Sequence, residues 1–182
     1  MMQKGFFKMR FWFLPLFLIC AGQNTCAKEV FKLPDSVVRY AMEKVGQATF
    51  EFLFLDIYEA TLYAPKGVYT AGEPFALKLT YKKSLKGAAI AKRSQDEIAN
   101  LSDVDGDTLK RWGDAMLKIF PNVEKGDVIV GLYQPKLPTR FYLNNQFLGQ
   151  VGDPDFGQSF FDIWLKPRPQ YEQFRKKLLN QL

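Results

Sequence analysis

From Gly46 to Tyr63 the chain reads GQATFEFLFLDIYEATLY, with apolar and polar residues alternating at both ends of the stretch. Ala48, Phe50 and Phe52 alternate with Gln47, Thr49 and Glu51, and further on Tyr58, Ala60 and Leu62 alternate with Glu59 and Thr61. A period of two marks a strand with one covered face, and the apolar run between the two ends predicts that both faces are covered there. Phe, Tyr, Ile and Thr suit a pleated surface, and no proline or internal glycine interrupts them. The stretch is longer than the ~5–6 residues of an ordinary strand, so it predicts one long bent strand or two strands meeting near Leu55 and Asp56. Asp56 and Tyr58 are then polar groups embedded among aromatics.

The rest of the pattern predicts a small set of elements. Val30, Phe31 and Leu33 lie around Pro34 in an extended lead-in, and Ala64-Pro65-Lys66-Gly67 is a turn. Phe75 to Tyr81 is a short strand with Phe75, Leu77, Leu79 and Tyr81 on one face and Lys78 and Thr80 on the other. Ser84 caps a helix running to about Asn100, with Ile90 and Ile98 among small residues. A second helix follows Asp107, its apolar face formed by Leu109, Trp112, Met116, Leu117 and Phe120, and Pro121 closes it. Val128 to Tyr133 is a strand, and Thr139 to Val151 is a hairpin around Asn144-Asn145, residues that tolerate positive φ. Asp153-Pro154 opens a helix carrying Phe156, Phe160, Ile163 and Trp164; Pro167 and Pro169 end it, and Gln170 to Leu182 forms a last helix. The fold class is α+β, and with no repeat or linker the economical organisation is one domain over residues 28–182.

The first residues are read differently. Lys4, Lys8 and Arg10 precede an apolar run from Phe11 to Gly22, and Thr25-Cys26-Ala27 offers small residues where a signal peptidase cuts. The run is too short to span a bilayer, so residues 1–27 are expected to be a signal peptide cleaved after Ala27, leaving a periplasmic or secreted protein without a transmembrane segment. Loss of Lys4, Lys8 and Arg10 with the leader lowers the net charge from +6 to +3, a surplus too mild for nucleic-acid binding. Cys20 and Cys26 leave as well, and the chain has no histidine. These absences remove Ser-His and Cys-His nucleophilic chemistry and the usual zinc, haem and copper sites, so no cofactor and no metal are expected.

What remains as candidate chemistry is a set of hydroxyls and charges. Tyr58, Tyr63 and Tyr81 can line a cleft and orient a ligand, or be core aromatics with a satisfied hydroxyl. Arg93 with Ser94 can hold a carboxylate, or Arg93 can pair with Asp96 or Glu97 on a helix surface; Lys78 and Arg140 are alternative cations. Asp56, between Leu55 and Ile57, must be paired, protonated or at the rim. Asp103-Val104-Asp105-Gly106-Asp107 with Asp114 has its glycine at the fourth position where a calcium loop needs it at the sixth. It is an Asp-Gly turn and a cap for the Trp112 helix.

GDVIVGLYQP at Gly126 to Pro135, TRFYLNNQFLGQVGDPDFGQSFFDIWL at Thr139 to Leu165, Ala60-Thr61-Leu62-Tyr63 and the Ala91-Lys92-Arg93-Ser94 helix together resemble the bacterial chalcone isomerase-like family. The resemblance covers nearly all of the chain after the leader. It implies an open-faced β-sandwich, an antiparallel sheet with helices packed on one face and a cleft between them. That fold serves plant chalcone isomerases, which close a flavanone ring, and fatty-acid-binding relatives with no known need for catalysis. Against the plant enzyme, Gly46-Gln47-Ala48 stands where an arginine-glycine pair is needed, Tyr58 where a threonine is and Ile90 where a tyrosine is. Most of the enzyme's electrostatic stabilisation is thereby absent. The expected function is an exported, non-catalytic binder of a small apolar or amphipathic ligand such as a fatty acid. An isomerase or lyase using Tyr58 and Arg93, and a partner-binding module of the cell envelope, are the alternatives.

Overall fold

A computed structural model describes residues 30–31 and 41–182. The leader and most of the lead-in around Pro34 lie outside the described residues. Seven strands follow one another across a single antiparallel sheet in chain order: β1 Val30–Phe31, β2 Met42–Phe52, β3 Leu55–Pro65, β4 Phe75–Tyr81, β5 Val128–Tyr133, β6 Thr139–Leu143 and β7 Gln146–Val151. Two helices, α1 Gly87–Leu101 and α2 Gly106–Ile119, are inserted between the neighbours β4 and β5. After β7 come α3 Pro154–Leu165, a 3-10 turn Pro169–Tyr171 and α4 Glu172–Leu178.

The long central stretch is two strands. Residues Leu53 and Phe54, with φ of 49° and 65°, form a two-residue hairpin loop, so the chain reverses just before the point the sequence pattern suggested. The expectation that both faces are covered there fails. Phe52, Leu53, Phe54 and Leu55 are 56, 73, 100 and 51% exposed. The register gives the reason: β3 pairs with β4 only between Tyr58 and Tyr63, so the hairpin overhangs its neighbour and its tip stands in solvent.

Two apolar clusters sit on the sheet's two faces. On the helical side Ala48, Ala60, Leu62, Leu77, Leu79, Ile129 and Phe141 from the strands meet Ile98, Trp112, Met116, Phe156, Phe160 and Phe161 from the helices. On the other face Met42, Tyr63, Ala76, Val130, Leu132 and Tyr142 form a smaller buried cluster. Alternation along β4 produces this division, since Phe75, Leu77, Leu79 and Tyr81 join the helical side as the pattern predicted.

Local chemistry fixes the helix starts. The Asp105 side chain accepts from the Thr108 N–H at 2.9 Å and caps α2, and Asp153 caps α3 with proline in its first turn. Ser84 does not cap α1; the helix starts three residues later, and its first N–H, of Gly87, donates to Asn122 Oδ1 at 3.0 Å. Leu117, assigned to the inward face of α2, is 55% exposed. The last helix is shorter than the Gln170 to Leu182 pattern: it stops at Leu178, with Asn180 at φ 55° just beyond.

Candidate functional site

On the helical side of the sheet lies a cavity of about 320 Å³. Its floor is built from strand register. Phe50, Tyr58 and Tyr81 are cross-strand partners in one row over β2, β3 and β4, with Leu79 and Ile129 in the next row and Leu77, Gly131 and Phe141 in the one after. A Cβ on Gly131 would stand 2.8 Å from Phe161 Cζ, so the absence of a side chain there lets α3 settle onto β5. The extra residue between the pairs Phe50–Tyr58 and Glu51–Asp56 is Ile57, which also lines the cavity.

The roof comes from helix periodicity. Ile90, Arg93, Ser94 and Glu97 of α1 recur at three and four residues and all line the cavity. Phe160, Phe161, Ile163 and Trp164 of α3 form a second wall, and Arg168, Tyr171 and Phe174 close the end.

Two tyrosines supply polar points on an apolar floor. The Tyr58 oxygen accepts from Trp164 Nε1 at 3.0 Å, leaving its own O–H free to donate, and its ring stacks on Phe50 with centroids 5.1 Å apart. Burial pushes the Tyr58 hydroxyl far above its ordinary range, a rise that the Trp164 hydrogen bond opposes without cancelling. Tyr81 is pushed up by burial too, and its hydroxyl makes no hydrogen bond among the described residues. Both hydroxyls therefore stay protonated at neutral pH.

The charged end of the cavity is organised around Glu97, whose side chain is 11% exposed. It receives Arg168 Nη1 at 2.7 Å and also pairs with Arg93 one turn back. The Arg168 side chain is 13% exposed, while that of Arg93 is 63% exposed. The Arg168 guanidinium lies 4.5 Å from the Tyr171 ring centroid and donates to the Ile163 carbonyl. Its Nε is buried and has no hydrogen-bond partner among the described residues.

The structure thus brings together four of the six residues singled out from sequence: Tyr58, Tyr81, Arg93 and Ser94. Tyr63 lies elsewhere, because its odd register places it on the opposite face, where its hydroxyl accepts from Lys78 Nζ at 3.0 Å. Asp56 is not embedded among aromatics. It is exposed at the hairpin tip opposite Glu51, since the tip overhangs the sheet and water reaches the carboxylate. Arg140 does not line the cavity. Among the described residues no group of side chains could hold a metal ion, and Asp105 acts as a helix cap.

Sequence reasoning missed Arg168 and the inward placement of Glu97. For Glu97 a signal existed, since it follows Ile90, Arg93 and Ser94 at helical spacing. Arg168 sits between two prolines in the segment after α3, where no periodicity speaks.

With this geometry in hand, comparison with known proteins is direct. The profile of the chalcone isomerase-like family matches residues 41–180. The chain belongs to that family. A crystal structure of an Arabidopsis thaliana fatty-acid binding protein matches with a TM-score of 0.58 and 14% identity, covering 82% of this chain and 92% of that one. At that identity the likeness speaks for the fold: an open antiparallel sheet with helices on one face. No curated protein matches the chain. No helix among the described residues is long and apolar enough to cross a membrane.

Proposed function

We propose that this protein is an exported, non-catalytic binder of a small apolar or amphipathic molecule, a fatty acid being the type. The observation that carries the reading is the cavity itself: about 320 Å³, walled by aromatic and aliphatic side chains, with its polar groups confined to two tyrosines and one end. Binding sites for small molecules have this composition and a volume of ~300–1,000 Å³, so the ligand is a small one. The raised tyrosines suit donation to a ligand and not attack upon it. The Arabidopsis relative of the same fold is a fatty-acid binding protein, which agrees with this use of the scaffold.

Gentle purification of the mature protein from the periplasm of a Gram-negative host, followed by native mass spectrometry, tests the reading. A defined small molecule at near-unit occupancy is expected, together with a mature chain starting at Lys28. Protein that is empty and that binds no lipid or aromatic compound in solution would overturn it.

A second reading, a partner-binding module, draws on the exposed tip Phe52 to Leu55. Its turn residues are bulky and apolar at two positive-φ positions where Asn-Gly is preferred, which points to a role outside folding. A stoichiometric partner that co-purifies with the wild type and is lost when Leu53 and Phe54 are replaced together would support it.

A further inference from the structure

Beyond the reading of the cavity, we infer that the hairpin tip Phe52 to Leu55 docks on a lipid bilayer of zwitterionic headgroups and holds the cavity mouth against it. The inference does not need the cavity to be filled. Three observations lead there. First, the tip is one unbroken apolar cap. Phe52, Leu53, Phe54 and Leu55 are all more than half exposed, with Phe54 wholly in solvent. Among the described residues, the other exposed large apolar side chains, Val68, Leu117, Leu137, Phe147 and Leu182, each stand alone on a separate segment of chain. Two phenylalanines and two leucines at these exposures present on the order of 500 Å², less than the ~800 Å² that each side of a stable protein–protein interface buries. A lipid surface sets no such threshold, since it closes around whatever apolar group enters it.

Second, charge limits how deep the cap can go. Glu51 and Asp56 are cross-strand partners, and both are exposed immediately below it. Two residues on each side lie beyond that pair, which at the rise of a strand is a height of roughly 7 Å. Apolar faces held at a membrane interface reach ~5–10 Å into the boundary between headgroups and acyl chains, so the cap fits that layer and leaves the carboxylates among the headgroups. Like charges directly opposite each other oppose strand pairing, so folding offers no reason for them. The ammonium groups of zwitterionic lipids, outermost in the headgroup layer, supply the counter-charge, whereas anionic headgroups repel the pair.

Third, the cap is continuous with the cavity. Phe50 and Phe52 share a face of β2 and both line the cavity, while Phe52 is also 56% exposed. Apolar surface therefore runs without a break from the cap to the cavity floor. Leu53 and Phe54 hold the cap forward at φ of 49° and 65°, a conformation strained for bulky side chains and one for which Asn-Gly is the favoured pair. Cross-strand register persists up to Phe52 and Leu55, so the cap stands on a paired ribbon.

The test uses the mature protein, freed of its apolar leader, and vesicles of phosphatidylcholine and phosphatidylethanolamine, sedimented with and without added phosphatidylglycerol. Wild-type protein is expected to sediment with the zwitterionic vesicles and to stay bound at ~0.5 M salt, where the attraction of surface lysines is screened. Replacing Leu53-Phe54 by Asn-Gly should weaken binding about tenfold or more while leaving the thermal midpoint no lower. Phe54→Trp keeps the cap apolar, and its emission should move to the blue on the same vesicles and be quenched by lipid brominated high on the acyl chain. Trp112 and Trp164 are buried and do not report the tip. If the Asn-Gly variant fails to fold, this emission still decides. Equal binding by wild type and the Asn-Gly variant, or an unmoved emission from the Phe54→Trp protein, overturns docking through the tip. Tighter binding on adding phosphatidylglycerol overturns the zwitterionic assignment. Absence of binding to any vesicle overturns the docking, and a self-associated or heteromeric species lost on Asn-Gly replacement would then give the tip to a second copy or a protein partner. Every readout is indifferent to what fills the cavity, so an empty cavity sinks the binding reading alone.

Discussion

The two ends of the β2–β3 hairpin are written in similar residues and meet opposite fates. At the base, Ala60, Leu62 and Ala64 are buried to 1% exposure or less, pressed between the sheet and its helices. At the tip, Phe52, Leu53, Phe54 and Leu55 are more than half exposed. Hydrophobicity alone does not distinguish them. What does is the length of β4, which accompanies β3 from Tyr63 to Tyr58 and then turns away at Tyr81. Between the two ends lies the row Phe50, Tyr58 and Tyr81, half floor of the cavity and half edge of the covered sheet. The site therefore occupies the border between a region that stabilises the fold and one that does not.

Truncating a leucine at each end is the sharpest way to break this comparison. Leu62→Ala should destabilise the protein by about 2–5 kcal/mol, since it removes a fully buried side chain from a close-packed layer. Leu53→Ala should stay within about 0.5 kcal/mol of the wild type. Denaturant midpoints of the two variants measure both, and comparable losses would mean that the tip is covered in solution.

Alkali probes the border. Tyr58 and Tyr81 hold their protons more tightly in the folded chain than tyrosines do unfolded, where they titrate near 10.0. The contribution of these neutral hydroxyls is intact below that pH and is lost as the pH rises beyond it, by roughly 1.4 kcal/mol per pH unit for each residue. Phenolate absorbance followed alongside unfolding should show these two of the eight tyrosines ionising only as the protein opens. Two tyrosines that titrate normally in folded protein would move the cavity floor into solvent.

Trp164→Phe removes the donor to the Tyr58 oxygen and should cost about 1 kcal/mol. Because that hydrogen bond is the one interaction lowering the Tyr58 value, the variant should also ionise at still higher pH. A fall instead would show that the indole acts by packing alone.

A further effect has the opposite sign. Replacing Leu53-Phe54 by Asn-Gly supplies the residues a turn with two positive φ values favours, and should raise stability by roughly 1 kcal/mol. A thermal midpoint that rises while an activity or partner is lost would identify the tip as a place where folding preference yields to function.

The elements were largely legible in the sequence because each rests on local rules. Alternation gave β4 and β5 their limits, Asn144-Asn145 gave the second hairpin, and Asp153-Pro154 gave the start of α3. The first hairpin was harder to read because Leu53 and Phe54 break the turn chemistry that would have announced it. Of the site, Tyr58, Tyr81, Arg93 and Ser94 were visible as polar residues in apolar patterns. Tyr63 carried the same signal and belongs to the other face, since a single step along a strand exchanges the two.

The sequence by itself determined which residues alternate and where α3 begins, because these depend on neighbours a few positions apart. It also carried the family, through motifs spread over most of the chain. Tertiary structure alone decided that an apolar run would stand in water, that Glu97 would face inward, and that Arg168 would meet it from a residue 71 positions away. Those outcomes depend on where β4 stops and where α3 delivers the chain, and such long-range geometry leaves no periodic trace in the residues it brings together.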